Sequence, residues 1–196
     1  MAKLDQKTLR LNIGNLSEIK SAALEIAESK LDDETKRFLN EFESHPVTRE
    51  IEEGESGENI SGTLGGYGNL FSFIGFENGA KPVEAVKNLI EKIRIIGSGK
   101  GEKGKKYGQV IFKVYVPSVE EFENNTPMPW AKGRSWLTGI EKGISGLGYF
   151  ISKANFGRSR GGVQSNDAVR SGGFRNVSYF SGIYKKFIRR LFSVNK

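Results

Sequence analysis

Apolar and polar positions alternate with two different periods along this chain. Leu9, Leu11 and Ile13 alternate with Arg10 and Asn12, the period of a short half-buried strand. Asn15 with Glu18 three places on makes a helix start, an Asx cap with an acidic third position. Ile19, Ala23, Ile26, Leu31, Phe38 and Phe42 then recur at helical spacing. The pattern predicts one long helix, or two broken near residues 31–33. It stops at His45 and Pro46, because the residue before proline disfavours the α region.

Residues 50–58, EIEEGESGE, read as a solvated acidic loop. The stretch 59–79, NISGTLGGYGNLFSFIGFENG, combines glycine-dense backbone with Leu70, Phe71, Phe73, Ile74 and Phe76. Its first half predicts a tight turn and its second half a buried strand. Pro82 opens a helix whose apolar face is Val83, Val86, Leu89, Ile90 and Ile93, ending before Gly97. Residues 97–108 hold glycine and lysine with nothing to bury, as a mobile hairpin or extended arm would. Residues 109–116 are the clearest strand, with Val110, Phe112, Val114 and Val116 on one face and Ile111, Lys113 and Tyr115 on the other.

A polar, proline-punctuated segment over 118–129 leads to a second apolar stripe, Trp136, Ile140, Ile144, Leu147 and Ile151, interrupted by Gly139, Gly143, Gly146 and Gly148. Each interior glycine costs a helix about 1 kcal/mol relative to alanine, so such a run fits a close interhelical or intersubunit contact. Phe180, Ile183, Tyr184, Phe187, Leu191 and Val194 outline an amphipathic C-terminal helix, with Lys185, Lys186, Arg189 and Arg190 on its other side. The whole predicts an α+β fold: a small, mostly antiparallel sheet from residues 9–13, 70–76 and 109–116, packed by three or four helices, with long Gly-rich loops or arms. Residues 1–154 form a core domain, 155–177 a basic Gly/Ser/Arg-rich loop or arm, and 178–196 a helix packing on the core or a neighbouring subunit.

Composition narrows the function. The 196 residues are 37% hydrophobic, enough for a core without staples. Cysteine is absent and histidine occurs once, which argues against disulfides, a thiol nucleophile and a transition-metal site. No signal peptide or membrane span is expected, nor any cofactor. Net charge is −6 over residues 1–58, +2 over 59–128 and +11 over 129–196. That gradient points to nucleic acid or an acidic protein partner, or to self-association in which the acidic end of one copy meets the basic end of the next.

Candidate chemistry is sparse. Gly99, Gly101 and Gly104 fit GxGxxG but follow a helix and precede a strand, the reverse of a dinucleotide fingerprint. His45 has no nucleophile elbow to serve, and beside Pro46 it is expected to interact with the terminal carbonyls of its helix. Arg158, Arg160, Arg170 and Arg175, in a glycine- and serine-rich stretch, are the nucleic-acid-facing candidates, able to track phosphates without reading bases. Gly62, Gly66, Gly68, Phe71, Phe73, Gly139, Gly143, Phe187 and Leu191 are the subunit-interface candidates.

Several stretches also carry a resemblance. The helix end Ser44-His45-Pro46-Val47-Thr48, an acidic loop and then NISGTLGGYGNLFSFIGF resemble structural proteins of tailed bacteriophages, particularly contractile-tailed ones. PWAKGRSWLTGIEKGISGLGYFI and the following SRGGVQ are similar to the same group. In outline, the long N-terminal helix, the Pro/Thr turn, Gly62-Thr63-Leu64, the strands and a further helix resemble neck or tail-completion proteins that form rings between portal and tail. The resemblance implies a non-enzymatic virion component made in the host cytoplasm, a head–tail connector present as a multi-copy ring around the DNA channel. Its partners would be copies of itself, neighbouring neck, portal-side or tail proteins, and packaged DNA contacted non-specifically. The basic third of the chain departs from that pattern, so its role is not carried over. The alternative is a sequence-independent nucleic-acid-binding protein acting alone.

Overall fold

The computed structural model describes residues 17–64, 68–100, 110–142, 150–152, 163–164 and 178–193. Their architecture is α+β, dominated by helices around one aromatic core, with three separate two-stranded antiparallel pairings. The predicted strand at 9–13 lies outside the described residues.

Helix α1, Ser17–Glu43, runs about 40 Å at 1.5 Å per residue. Leu31, Phe38 and Phe42 form its buried stripe, whereas no residue over 20–30 is buried. Pro46 stops α1 and starts α2, Pro46–Glu52, at the position where a missing N–H costs nothing. His45 takes the extended backbone that a pre-proline residue prefers, φ −66° and ψ 132°. Its Nδ1 accepts the Val47 N–H at 3.3 Å. The ring therefore caps the helix that follows rather than the carbonyls of the helix before, correcting the expectation from sequence. A short 3-10 turn, Gly54–Ser56, follows α2.

The largest revision concerns residues 70–76. Leu70–Ile74 is a helix, α3, not a strand. Asn69 caps it, with Oδ1 accepting the Ser72 N–H at 2.9 Å. Gly75 terminates it with φ +84°, its N–H reaching Ser72 O at 3.1 Å while the Phe76 N–H reaches Phe71 O at 3.3 Å. That pair of bonds closes a left-handed C-terminal cap, a conformation glycine adopts without a Cβ penalty. Leu70, Phe71 and Ile74 point inward at helical spacing.

Helix α4, Pro82–Ile90, buries Val83, Val86, Leu89 and Ile90, as its periodicity predicts, and Ile93 is buried just beyond it. The chain then enters β1, Arg94–Lys100, which pairs antiparallel with β2, Val110–Tyr115. Val110, Phe112 and Val114 are half-buried while Ile111 and Lys113 are exposed, matching the expected alternation. Among the described residues the expected sheet is reduced to this ribbon, since Leu70–Ile74 is helical.

Helix α5, Val119–Asn124, opens on a capping box: Glu121 N–H to Ser118 Oγ at 3.2 Å, and Ser118 N–H to Glu121 Oε2 at 2.7 Å. Strands β3, Pro127–Met128, and β4, Ala131–Ser135, form a small hairpin leading to α6, Trp136–Lys142. Phe150–Ser152, β5, pairs with Val163–Gln164, β6. Helix α7, Phe180–Phe192, returns to pack along α1. Phe187 stacks on Phe38 with ring centroids 4.7 Å apart, and Phe180 meets Phe122 at 4.6 Å. These rings join the start, middle and end of the chain in one core.

Candidate functional site

The glycine-rich stretch is where polar groups converge. Glu50 is completely buried, although its acidic surroundings predict a solvated loop. Its Oε1 accepts the Leu70 N–H at 2.7 Å and its Oε2 the Ser61 N–H at 2.9 Å. Both carboxylate oxygens thus receive backbone donors, the compensation that a buried charge requires. Asn69 closes the other side, its Nδ2 lying 3.1, 2.8 and 2.9 Å from the carbonyls of Gly54, Glu55 and Gly57. Ser61 Oγ and Thr63 Oγ1 are 2.7 Å apart inside the loop. The result is a turn pinned to α2 through Glu50 and Asn69, while the buried amide of Asn59 has no hydrogen-bond partner among the described residues.

A second cluster ties α7 to the rest. Glu141 Oε1, at the end of α6, accepts the N–H of Ser181 at 2.6 Å and of Tyr179 at 3.3 Å, supplying acceptors at the open N-terminus of α7. The Tyr179 hydroxyl lies 2.6 Å from Thr48 Oγ1. Burial pushes that hydroxyl far above the ordinary tyrosine range, so it stays protonated. The His45 ring sits 4.8 Å from the Tyr179 ring. Burial lowers the His45 pKa; a backbone hydrogen bond with Ser178 opposes that, and the charge of Lys186 adds to it. His45 Nδ1 is engaged by Val47, and the nearby hydroxyls hydrogen-bond each other, so the cluster braces the fold rather than arranging a base beside a nucleophile.

Charge is also organised within the chain. Arg190 on α7 donates from Nε to Glu34 Oε2 and from Nη1 to Glu41 Oε1, both at 2.7 Å. Lys30 Nζ reaches the Ser193 carbonyl at 3.1 Å. Lys87 on α4 bridges Glu43 at 2.8 Å and Glu52 at 2.7 Å. Burial works against the Lys87 ammonium, but its hydrogen bonds and charge pairing with these two glutamates outweigh that and raise its pKa.

The predicted residues fall in different places. Arg158, Arg160, Arg170, Arg175, Gly66 and Gly143 lie outside the described residues. Gly62 and Gly68 take φ of +64° and +67°, flanking the pinned loop. Phe71 and Phe187 lie inside the chain's own core, 1% and 0% exposed, where their rings pack intramolecularly. Phe73 and Leu191 are half-buried against that core. Gly139 lines a surface hollow of about 460 Å³ beside α5 and α6, together with Glu123, Met128, Arg134, Thr138 and Lys142. In it Thr138 Oγ1 donates to Glu123 Oε1 at 2.7 Å.

Glu50, Asn69 and Glu141 were not singled out from sequence. The Asn69–Ser72 spacing and Gly75 signal a short helix, but nothing local distinguishes Glu50 from its four exposed acidic neighbours, Glu52, Glu53, Glu55 and Glu58. Among the described residues no group of His, Cys, Asp and Glu could hold a metal ion, and no helix is long and apolar enough to cross a membrane. Compared with known protein families, curated proteins and solved structures, the chain matches none.

Proposed function

We propose that this chain is a non-enzymatic structural subunit of a phage virion, a neck or tail-completion protein that forms a multi-copy connector ring between head and tail. The observation that carries the reading is the use of its polar side chains. All six buried polar residues among the described ones, Thr48, Glu50, Thr63, Asn69, Thr126 and Ser135, are hydrogen-bonded within the fold. A ring subunit needs such bracing, because each copy must hold two unlike surfaces at a fixed angle for the ring to close. Unlike surfaces are present: the first half of α1 exposes Glu25, Ile26 and Glu28, and the β1–β2 ribbon exposes Arg94 and Lys113. The resemblance to contractile-tailed phage proteins supplies the setting.

Native mass measurement and electron microscopy test the reading. Closed rings of the purified chain, or rings that appear on adding a portal or tail-tube protein, are the expected result. A monomer under every salt condition, with and without those proteins, overturns it. A second reading, a nucleic-acid-binding protein acting alone, draws on the cationic ribbon. It would be selected by a monomer with salt-steep affinity for DNA.

A further inference from the structure

On the β1–β2 ribbon, Arg94 and Lys113 form no ion pair with a carboxylate among the described residues. The ribbon's described strands, RIIGSGK and VIFKVY, contain Arg94, Lys100 and Lys113 and no acidic residue. The register puts Arg94 opposite Tyr115, Gly97 opposite Lys113 and Gly99 opposite Ile111. These residues share the face turned away from the core, because Phe112 and Val114 occupy the other. Arg94 and Lys113 are both exposed.

We propose that this face of the ribbon binds nucleic acid through its phosphate backbone, without reading bases. Cations without counter-charges on their own strands are what neutralises a polyanion, and phosphate contacts position a chain without conveying sequence. The face is also thin where it needs to be. A Cβ added at Gly97 would meet nothing within 4 Å, so opposite Lys113 the ribbon presents bare backbone to an approaching duplex. A two-stranded ribbon is narrow enough for a major groove. Arg94 is held ready: its guanidinium lies 5.4 Å from the Tyr115 ring centroid and donates to the Lys92 carbonyl at 3.3 Å. Tyr115 is itself fixed, donating its hydroxyl to Glu121 at 2.8 Å. On α7, Arg190 is taken up by Glu34 and Glu41 of α1, while Lys185, Lys186 and Arg189 are exposed, a second cationic surface that the slope of the ribbon variants distinguishes from this one. An acidic protein is the competing occupant, and it would use the exposed Ile96 and Ile111 as anchors. The proposal does not rest on the ring, since a monomer or a ring subunit could bind through this face.

The test uses the full chain and a fluorescein-labelled duplex of mixed sequence, with affinity measured by anisotropy across a potassium chloride series. Log affinity is expected to fall linearly with log salt. Replacing both cations, Arg94→Gln with Lys113→Gln, should reduce that slope by roughly 1.8, about 0.9 for each lost phosphate contact. The pair Arg94→Lys and Lys113→Arg should keep the slope, as should Ile96→Ser with Ile111→Ser. Circular dichroism establishes that each variant is folded, and Lys113→Gln alone, expected to lower the slope by about 0.9, keeps the test valid if the double variant is not. Absence of duplex binding at low salt overturns the proposal. So does an unchanged slope in the neutral pair, which would place binding elsewhere. Loss of binding in the isoleucine pair but not in the glutamine pair also overturns it and indicates an apolar protein-type surface. Native mass measured in parallel reads the oligomer separately, so failure of the ring and failure of the ribbon are distinguishable.

Discussion

Glu50 Oε1 accepts the Leu70 backbone N–H at 2.7 Å across twenty residues of chain, so the glycine-rich loop closes on a buried carboxylate. The same carboxylate holds the Ser61 N–H through Oε2. Truncating it removes both acceptors and leaves two backbone donors without partners. Glu50→Ala is expected to destabilise the fold by about 2–6 kcal/mol, from about 1–3 kcal/mol for each of the two buried unsatisfied groups. Glu50→Gln keeps one carbonyl oxygen and should cost less. Urea denaturation checks both, and a loss below 1 kcal/mol on truncation would mean that the loop holds its shape without Glu50.

Gly75 ends α3 in the left-handed region at φ +84°, and an added Cβ would stand 3.5 Å from Trp130 Cδ1, an ordinary contact. Space is therefore available and backbone strain is the deciding effect. Gly75→Ala should lower stability by about 1–2 kcal/mol. Trp130 provides a local reporter, because its indole N–H donates to the Ile74 carbonyl at 2.9 Å, at the same helix end. Its fluorescence should shift with the substitution, and an unchanged unfolding midpoint would show that the turn tolerates a side chain.

These two sites mark the limit of what the sequence discloses. Periodicity exposed the stripe Leu31, Phe38 and Phe42, the face Val83 to Ile93, and the alternation of β2, because each depends on neighbours within one element. It failed at LFSFIGF, where high apolar density reads equally as strand or helix over so short a run. There Asn69 and Gly75, the cap residues, decide the outcome. It also passed over Ser118 and Glu121, whose S-x-x-E spacing was legible. Glu50 was out of reach, because its burial depends on donors eleven and twenty residues away. The candidate interface residues divide for the same reason: composition marks Phe71 and Phe187 as sticky, and only tertiary packing shows that their own core takes them up.

Arg190 links the basic end of the chain to the acidic one. Its side chain is 24% exposed and holds Glu34 and Glu41, themselves 17% and 32% exposed. Removing it would leave Glu34 and Glu41, two turns apart on α1, without the guanidinium that bridges them, and partial exposure moderates the cost. Arg190→Met is expected to destabilise by about 1–2 kcal/mol, more than a typical surface pair but less than a fully buried one. Arg190→Lys should recover only part, since a single ammonium cannot reproduce two directed N–H bonds. Thermal unfolding across a sodium chloride series checks this: added salt should narrow the gap between Arg190→Met and the parent by screening the ion pairs that only the parent makes.

His45 gives the fold a defined acid limit. Burial lowers its pKa from the ordinary 6.5, the Ser178 backbone bond opposes this, and Lys186 adds to the lowering. The unfolded chain therefore takes up a proton as pH falls through 6.5, while the folded chain resists until a lower pH. Stability from this residue is complete above 6.5, declines as pH drops below it, and levels off once the folded value is passed. Protonation also removes the Nδ1 lone pair that accepts the Val47 N–H, so the start of α2 loses its cap in the same step. His45→Asn keeps a capping acceptor and cannot titrate. Its denaturation midpoint should follow the parent's at neutral pH and exceed it increasingly as the solution is acidified below 6.5. Parallel curves for the two proteins over that range would show that the acid sensitivity arises elsewhere.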